Sequence, residues 1–362
     1  MTEQNTPEAN KAPLRSVHTT NFPEILSQLG ITLVVSTYQA GRVVLLRADD
    51  GVINTHFCGY NKPMGLAGDH TRLTIGTASE VADMRNVPDV GRKLDPPDKH
   101  DACYIPRGVH VTGDIDIHEM ARTPEGELWI VNTRFSCLCT LDSEHSFVPR
   151  WRPPFVTALT PEDRCHLNGL GLRDGKPKYV TALGKTDKQG GWRENKANGG
   201  LLMDIETNEI IIDGLSMPHS PRWYDNRLWV LESGNGSLAW VNQETGKLET
   251  VIQLPGFTRG IDFHGPLAFI GLSQVRESAT FSGIPLTERL EERICGVWVV
   301  NIQTAQTIAF LRFEDAVQEI FAVQVLRGVR FPEIMDWTDE KVIHAYVLPD
   351  EALADVPQER RG

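Results

Sequence analysis

No run of eighteen apolar residues occurs anywhere in the 362-residue chain, so no segment has the make-up of a membrane-spanning helix. Cysteine is scarce. Six in a chain this long do not form a disulfide framework, and reduced thiols in a cytoplasmic protein are the expectation. An excess of positive charge is missing too. The formal net charge is −12, which leaves no clustered basic surface for a phosphate backbone, so nucleic acid is not an expected partner. Met1–Arg15 is polar and lacks the apolar stretch of a secretory signal. There is no Gly-x-Ser-x-Gly elbow, no Walker loop and no His-Glu-x-x-His helix, which removes the common sequence-local catalytic signatures.

What is present is repetition. Asn61–Thr77, Ile117–Thr133, His166–Leu183, Pro218–Gly234 and Gly256–Ser273 each read as a short apolar strand, a polar turn and a second strand ending in small or polar residues. Self-similarity at a fixed period marks a repeat architecture, and strand-only units of about fifty residues, four strands each, predict an all-β propeller. Inner strands are expected to begin near Met64, His118, Leu167, Ser220 and Arg259.

Two incomplete pieces remain. Ile31–Phe57 offers three strands with no inner strand before them, and Glu319–Leu326 looks like an inner strand with little strand-forming sequence after it. Together they make one blade. The prediction is therefore a six-bladed β-propeller whose last blade is closed by N-terminal strands pairing with a C-terminal inner strand, which removes exposed sheet edges. Residues 17–349 form this domain. Residues 1–16 and 350–362, rich in Pro, Glu and Arg, are expected to be disordered tails. Phe22–Leu29 has helical spacing, with Gly30 placed to cap its end outside the propeller.

Counting six residues back from the turn that ends each inner strand gives Pro63, His118, Asn168, His219 and Thr258, which should occupy equivalent places around the axis. His166 precedes Asn168 by two and should share its side, since strand side chains alternate. Glu319 enters the sixth inner strand. His118, His166 and His219, with Glu319 nearby and Asn168 as a further donor, thus outline a metal centre. Three imidazoles leaving one position open suit zinc. Imidazoles plus a carboxylate suit iron, with manganese or calcium as alternatives. Channel-mouth histidines hydrogen-bonded only to backbone and water are the competing reading.

Arg259, beside Thr258, could hold a substrate carboxylate in a bidentate contact, or pair structurally with Glu319. Glu119 alternates away from His118 and is expected to bridge blades. In Tyr104–Asp116, the residues Arg107, His110, Asp114 and Asp116 could reach the central face, with His110 a reserve ligand. The aspartates could equally cap turns. Two long insertions, Gly184–Gly199 and Ser273–Arg293, follow second strands and should cover the same face, bringing Trp192, Arg193, Arg276 and Phe281 to the ligand. Cys137 and Cys139 read as strand residues, and Cys165 and His166, being adjacent, face apart.

The segments GDIDIHEMA, CHLNGLGL, MPHSPRWYDNRLWVLESGNG, PGFTRGIDF and ICGVWVVNI resemble a family of uncharacterised bacterial proteins, sometimes fused to tetratricopeptide repeats. The resemblance runs from about Ile31 to Leu326 and implies no particular activity. More remotely, the chain is similar to six-bladed propellers such as the peptidyl-hydroxyglycine amidating lyases and the gluconolactonases. Both place a metal on the channel axis, and His118, Asn168 and His219 match that placement in blade position alone.

Two functional expectations follow. One is a metal-dependent enzyme of hydrolase, lyase or oxygenase type, acting on a small anionic substrate. Glu319 and Arg259 would serve catalysis, and Arg259, Asn168, Trp192 and Arg276 would bind substrate. The other is a non-catalytic propeller that holds a peptide or protein partner, a role the repeat fusions of the resembling family suit.

Overall fold

The computed structural model describes residues 14–275 and 282–357. Its strands form six small sheets, each the blade of a six-bladed β-propeller. Blade two is Ile117–Arg122, Leu128–Asn132, Cys137–Thr140 and Val148–Trp151, paired antiparallel in that order. Blade three runs from Leu167–Arg173 to Ile210–Leu215, and blade four from Pro218–Tyr224 to Lys247–Gln253.

The closing blade is the one the two sequence fragments predict. Ile31–Thr37 lies antiparallel to Ala322–Arg327, with Ile31 opposite Arg327 and Ser36 opposite Ala322. Arg42–Asp49 and Val52–Gly59 complete it. Buried on both faces, Ile31–Thr37 reads as a continuous apolar run rather than an alternating one.

Both ends of the chain add strands that the sequence did not announce. Ser16–His18 extends blade five (Phe257–His264, Leu267–Ser273, Gly296–Asn301, Gln306–Phe313) at its outer edge. Pro332–Ile334 lies parallel to Ala102–Val111, the outer strand of blade one. Three-residue strands carry too little pattern to be read from sequence, and pairing with an existing edge creates them. Two parts of the expected tails hold regular structure: Ser16 is in a strand and Asp350–Leu353 is a single helical turn.

Apolar clusters fill the gaps between blades. The largest, between blades five and six, joins Leu33, Val35, Val44 and Leu46 to Phe269, Val297 and Leu311. The helix Phe22–Leu29 seals its outer margin by burying Phe22 and Leu26, and Gly30 ends the helix at φ +63, a conformation glycine adopts without strain.

Candidate functional site at the channel mouth

His118, Asn168, His219 and Thr258 are each the second residue of an inner strand, so the positional equivalence holds. Two residues earlier lie Asp116, His166 and Met217, with φ values of +52, +51 and +45. Lys62 takes +51, which identifies Met64, rather than Pro63, as the blade-one equivalent. Left-handed backbone is uncommon for such residues and concentrates at functional sites. It also breaks the alternation that would have put His166 and Asn168 on one side. The mouth is therefore built in two tiers: Lys62, Asp116, His166 and Met217 above, Met64, His118, Asn168 and His219 below.

A cavity of about 280 Å³ opens at these tiers. His118, His166, His219 and Arg259 line it, with Asp116, Asp163, Lys62, Trp192, Arg193, Tyr38 and Phe321. Every histidine is anchored through Nδ1. His118 Nδ1 lies 3.0 Å from the Asp116 carbonyl and 2.8 Å from Thr133 Oγ1, whose own proton goes to the Leu167 carbonyl. His219 Nδ1 lies 2.9 Å from the Met217 carbonyl and 2.9 Å from Ser233 Oγ. His166 Nδ1 meets the Asp163 carboxylate at 3.0 Å.

Carbonyl and carboxylate oxygens only accept, so Nδ1 carries the proton in each ring. Burial pushes His118 and His219 well below the usual imidazole range, which keeps them neutral. Their Nε2 atoms are therefore bare lone pairs.

Arg259 is also present, half-buried. Its guanidinium lies 3.7 Å over the Phe321 ring and 5.8 Å from the Tyr38 ring. Among the described residues no carboxylate lies within 4.0 Å of it, so the expected pairing with Glu319 is not made. Burial lowers its pKa to about 10. In the same cavity, Trp192 is buried, lies tilted against His166 with ring centres 4.4 Å apart and donates Nε1–H to Asp163 at 2.9 Å.

Trp192 also packs with Met217, Phe257, Val275, Ile284 and Leu286, so the two insertions meet above the mouth. The first is held down by Asp187. Its carboxylate accepts from Thr157 N at 2.9 Å, Thr157 Oγ1 at 2.6 Å and Arg164 Nη1 at 2.6 Å. Arg193 lies over Trp192 at 4.3 Å. Arg276 and Phe281 lie outside the described residues.

Other expected site residues stand elsewhere. Asn168 is buried between blades, accepting from Thr181 Oγ1 at 2.7 Å and donating to the Pro218 carbonyl at 3.0 Å. It does not line the cavity. The neighbouring Gly169 permits this close approach, since a Cβ there would sit 2.1 Å from Thr181 Oγ1. Glu319 precedes its strand, which begins at Ala322, and does not line the cavity either. Burial raises its carboxyl above the usual range.

His110 bonds the Ser146 carbonyl on the outer strand of blade one, Arg107 reaches the Ala345 carbonyl, and Asp114 pairs with Arg134. Glu119 bridges blades: it binds Arg222 at 2.8 Å and 3.2 Å and accepts from Leu170 N at 2.7 Å. Lys62, Asp163, Tyr38 and Phe321 were missed in the sequence because they lie outside the repeated segments or carry no ligand pattern. A metal shared by all three histidines would need movement. Among the described residues their nitrogens do not all come mutually within 4.8 Å, although the His118 and His166 rings meet edge to face at 4.9 Å.

Against known proteins, a chain of the nidogen/laminin complex superimposes with a TM-score of 0.51 at 8% identity, covering 83% of this chain and 99% of that one. A protein of unknown function from Bacteroides caccae gives 0.49 at 10% identity, covering 82% and 99%. A catalytically inactive virginiamycin B lyase from Staphylococcus aureus with quinupristin gives 0.42 at 12%, covering 83% and 99%. At these identities the likeness is one of fold. The search of curated proteins found no match. The model of a domain of unknown function, DUF4915, matches residues 20–335, and the chain belongs to that family.

Proposed function

We propose that the channel mouth binds a small organic anion and converts it in a lyase- or hydrolase-type step. The observation that carries this reading is Arg259: a desolvated guanidinium with no carboxylate partner among the described residues, lining the same cavity as two neutral imidazoles with bare Nε2 atoms. A desolvated guanidinium on which Asp116 and Glu119 act only from a distance is costly, and a ligand carboxylate in contact would relieve that cost. Trp192, Phe321 and Tyr38 offer apolar surface to the rest of such a ligand. A cavity of about 280 Å³ has the volume of a small-metabolite site, which favours substrate over partner binding.

A divalent ion, zinc or iron, is the proposed cofactor, taken by the Nε2 atoms of His118, His166 and His219 once the rings draw together. Support comes from the Nδ1 anchors, since metal-bound histidines are held through their other nitrogen in this way. The ion would polarise a carbonyl or activate water. Arg259 would hold the anion in register, and the Trp192 insertion would exclude solvent.

The test combines elemental analysis of untagged protein with a thermal-shift screen of small carboxylates. Metal that is lost in His219→Ala, together with an anion that stabilises the wild type, is the expected result. Protein whose metal content is unchanged by His219→Ala, and which no carboxylate stabilises, would sink the proposal.

A further inference from the structure

A second donor cluster lies far from the axis, where the C-terminal strand Pro332–Ile334 runs beside blade six. His56 and Cys58 are two apart on the outer strand Val52–Gly59, so they share a face. Glu333 meets them from Pro332–Ile334. One ligand atom from each of these three residues lies within 4.8 Å of the other two. His56 Nε2 stands 2.7 Å from Glu333 Oε1. That oxygen also accepts from Ile334 N at 3.1 Å, and the other carboxylate oxygen faces Arg47 Nη1 at 3.4 Å.

An independent sign of a missing partner comes from His100. Its side chain is 6% exposed, its Nε2 lies 3.6 Å from Glu333 Oε2, beyond a direct hydrogen bond, and its Nδ1 is buried with no partner among the described residues. Neither nitrogen of this ring is satisfied, which is rare for buried polar groups.

We propose that His56, Cys58 and Glu333 form a divalent-metal site, selective for zinc, that clips the C-terminal strand to blade six. One nitrogen, one sulfur and one oxygen suit a borderline-soft ion, and His100 stands close enough to orient the carboxylate or a bound water in the fourth position. Arg47 fills the role of the outer hydrogen-bond partner that ligating carboxylates have. Capture would release the Cys58 proton, because burial holds the thiol protonated at up to about 12 until a metal displaces it. Among the described residues, the polar links from the strand to blade six are side-chain contacts from Glu333 and the Arg47 bond to the Pro332 carbonyl at 2.7 Å, beside apolar packing of Ile334.

Cobalt distinguishes this site from the axial one, which has no thiolate. Full-length untagged protein, stripped with chelator and titrated with Co²⁺, should develop a near-ultraviolet thiolate-to-cobalt charge-transfer band that zinc abolishes. The band should vanish in Cys58→Ser, weaken by about tenfold in affinity in His56→Ala and Glu333→Gln, and persist in His219→Ala. Alkylation of Cys58 in the wild type, followed by peptide mass, gives a readout that needs no variant: saturating zinc should slow it about tenfold, in line with ligand protection. No band, a band that survives Cys58→Ser, or alkylation indifferent to zinc would reduce the cluster to an ion-pair network and overturn the proposal.

Discussion

Replacing Arg259 with Met should make the protein more stable and less able to hold an anion. The drop of the guanidinium from 12.5 to about 10 corresponds to about 3 kcal/mol of lost solvation. Against this stands the Phe321 contact at 3.7 Å, a cation–π interaction of about 1–2 kcal/mol. Methionine keeps the apolar stem and leaves a gap only where the cavity is already open. The net expectation is a gain of about 1–2 kcal/mol, a rise in melting temperature on the order of 2–4 °C. In the same variant, affinity for a small carboxylate should fall by about 1.5–3 kcal/mol, the value of a charge-assisted hydrogen bond. Denaturation and calorimetric titration of both proteins read the two effects. If Arg259→Met loses more than about 1 kcal/mol of stability, the guanidinium supports the fold, and the argument for a waiting anion site fails.

Two further outcomes follow from the same geometry. Glu119→Ala leaves the Arg222 guanidinium and Leu170 N–H without their carboxylate and should cost about 3–5 kcal/mol in denaturant unfolding. A double variant with Arg222→Met should recover much of that, and a loss under about 1 kcal/mol in the single variant would show that the bridge between blades is dispensable. Asp187, drawn down to about 2 by its bonds from Thr157 and Arg164, has a folded pKa below its ordinary value. Its tether is therefore intact above pH ~4 and lost as pH falls towards ~2. Cleavage within Gly184–Gly199 by an acid-active protease should rise across that window, and Asp187→Asn should expose the same bonds at neutral pH. Equal cleavage of variant and wild type would remove Asp187 as the anchor.

The blades were legible because each repeated unit states its own turn and inner strand, and that register placed His118, His219 and Arg259 at one mouth. What escaped was local geometry that side-chain pattern does not encode. Left-handed backbone at Asp116, His166 and Met217 splits the ring into tiers, so His166 and Asn168 part company although they are two residues apart. In blade one the turn at Asp69, whose Oδ1 accepts from Thr71 N and Arg72 N, shifts the count by one and brings in Met64. Glu319 was misplaced because its apolar neighbours Ile320 and Phe321 look like the start of a strand that begins only at Ala322. Pro332–Ile334, and with it the His56–Cys58–Glu333 cluster, has no pattern of its own: it is a strand only because Ala102–Tyr104 lies alongside.

The pairing of Ile31 with Arg327 has a consequence for how the ring is made. During synthesis the three outer strands of the closing blade leave the ribosome long before the inner strand they need, with five blades in between. Until then their edge stays open while five blades form behind it. Joining ends roughly 290 residues apart costs about 5 kcal/mol in chain entropy, recovered in one late step. Loss of Ile31–Thr37 and loss of Ala322–Arg327 should therefore act on the same seam and leave the same open ring.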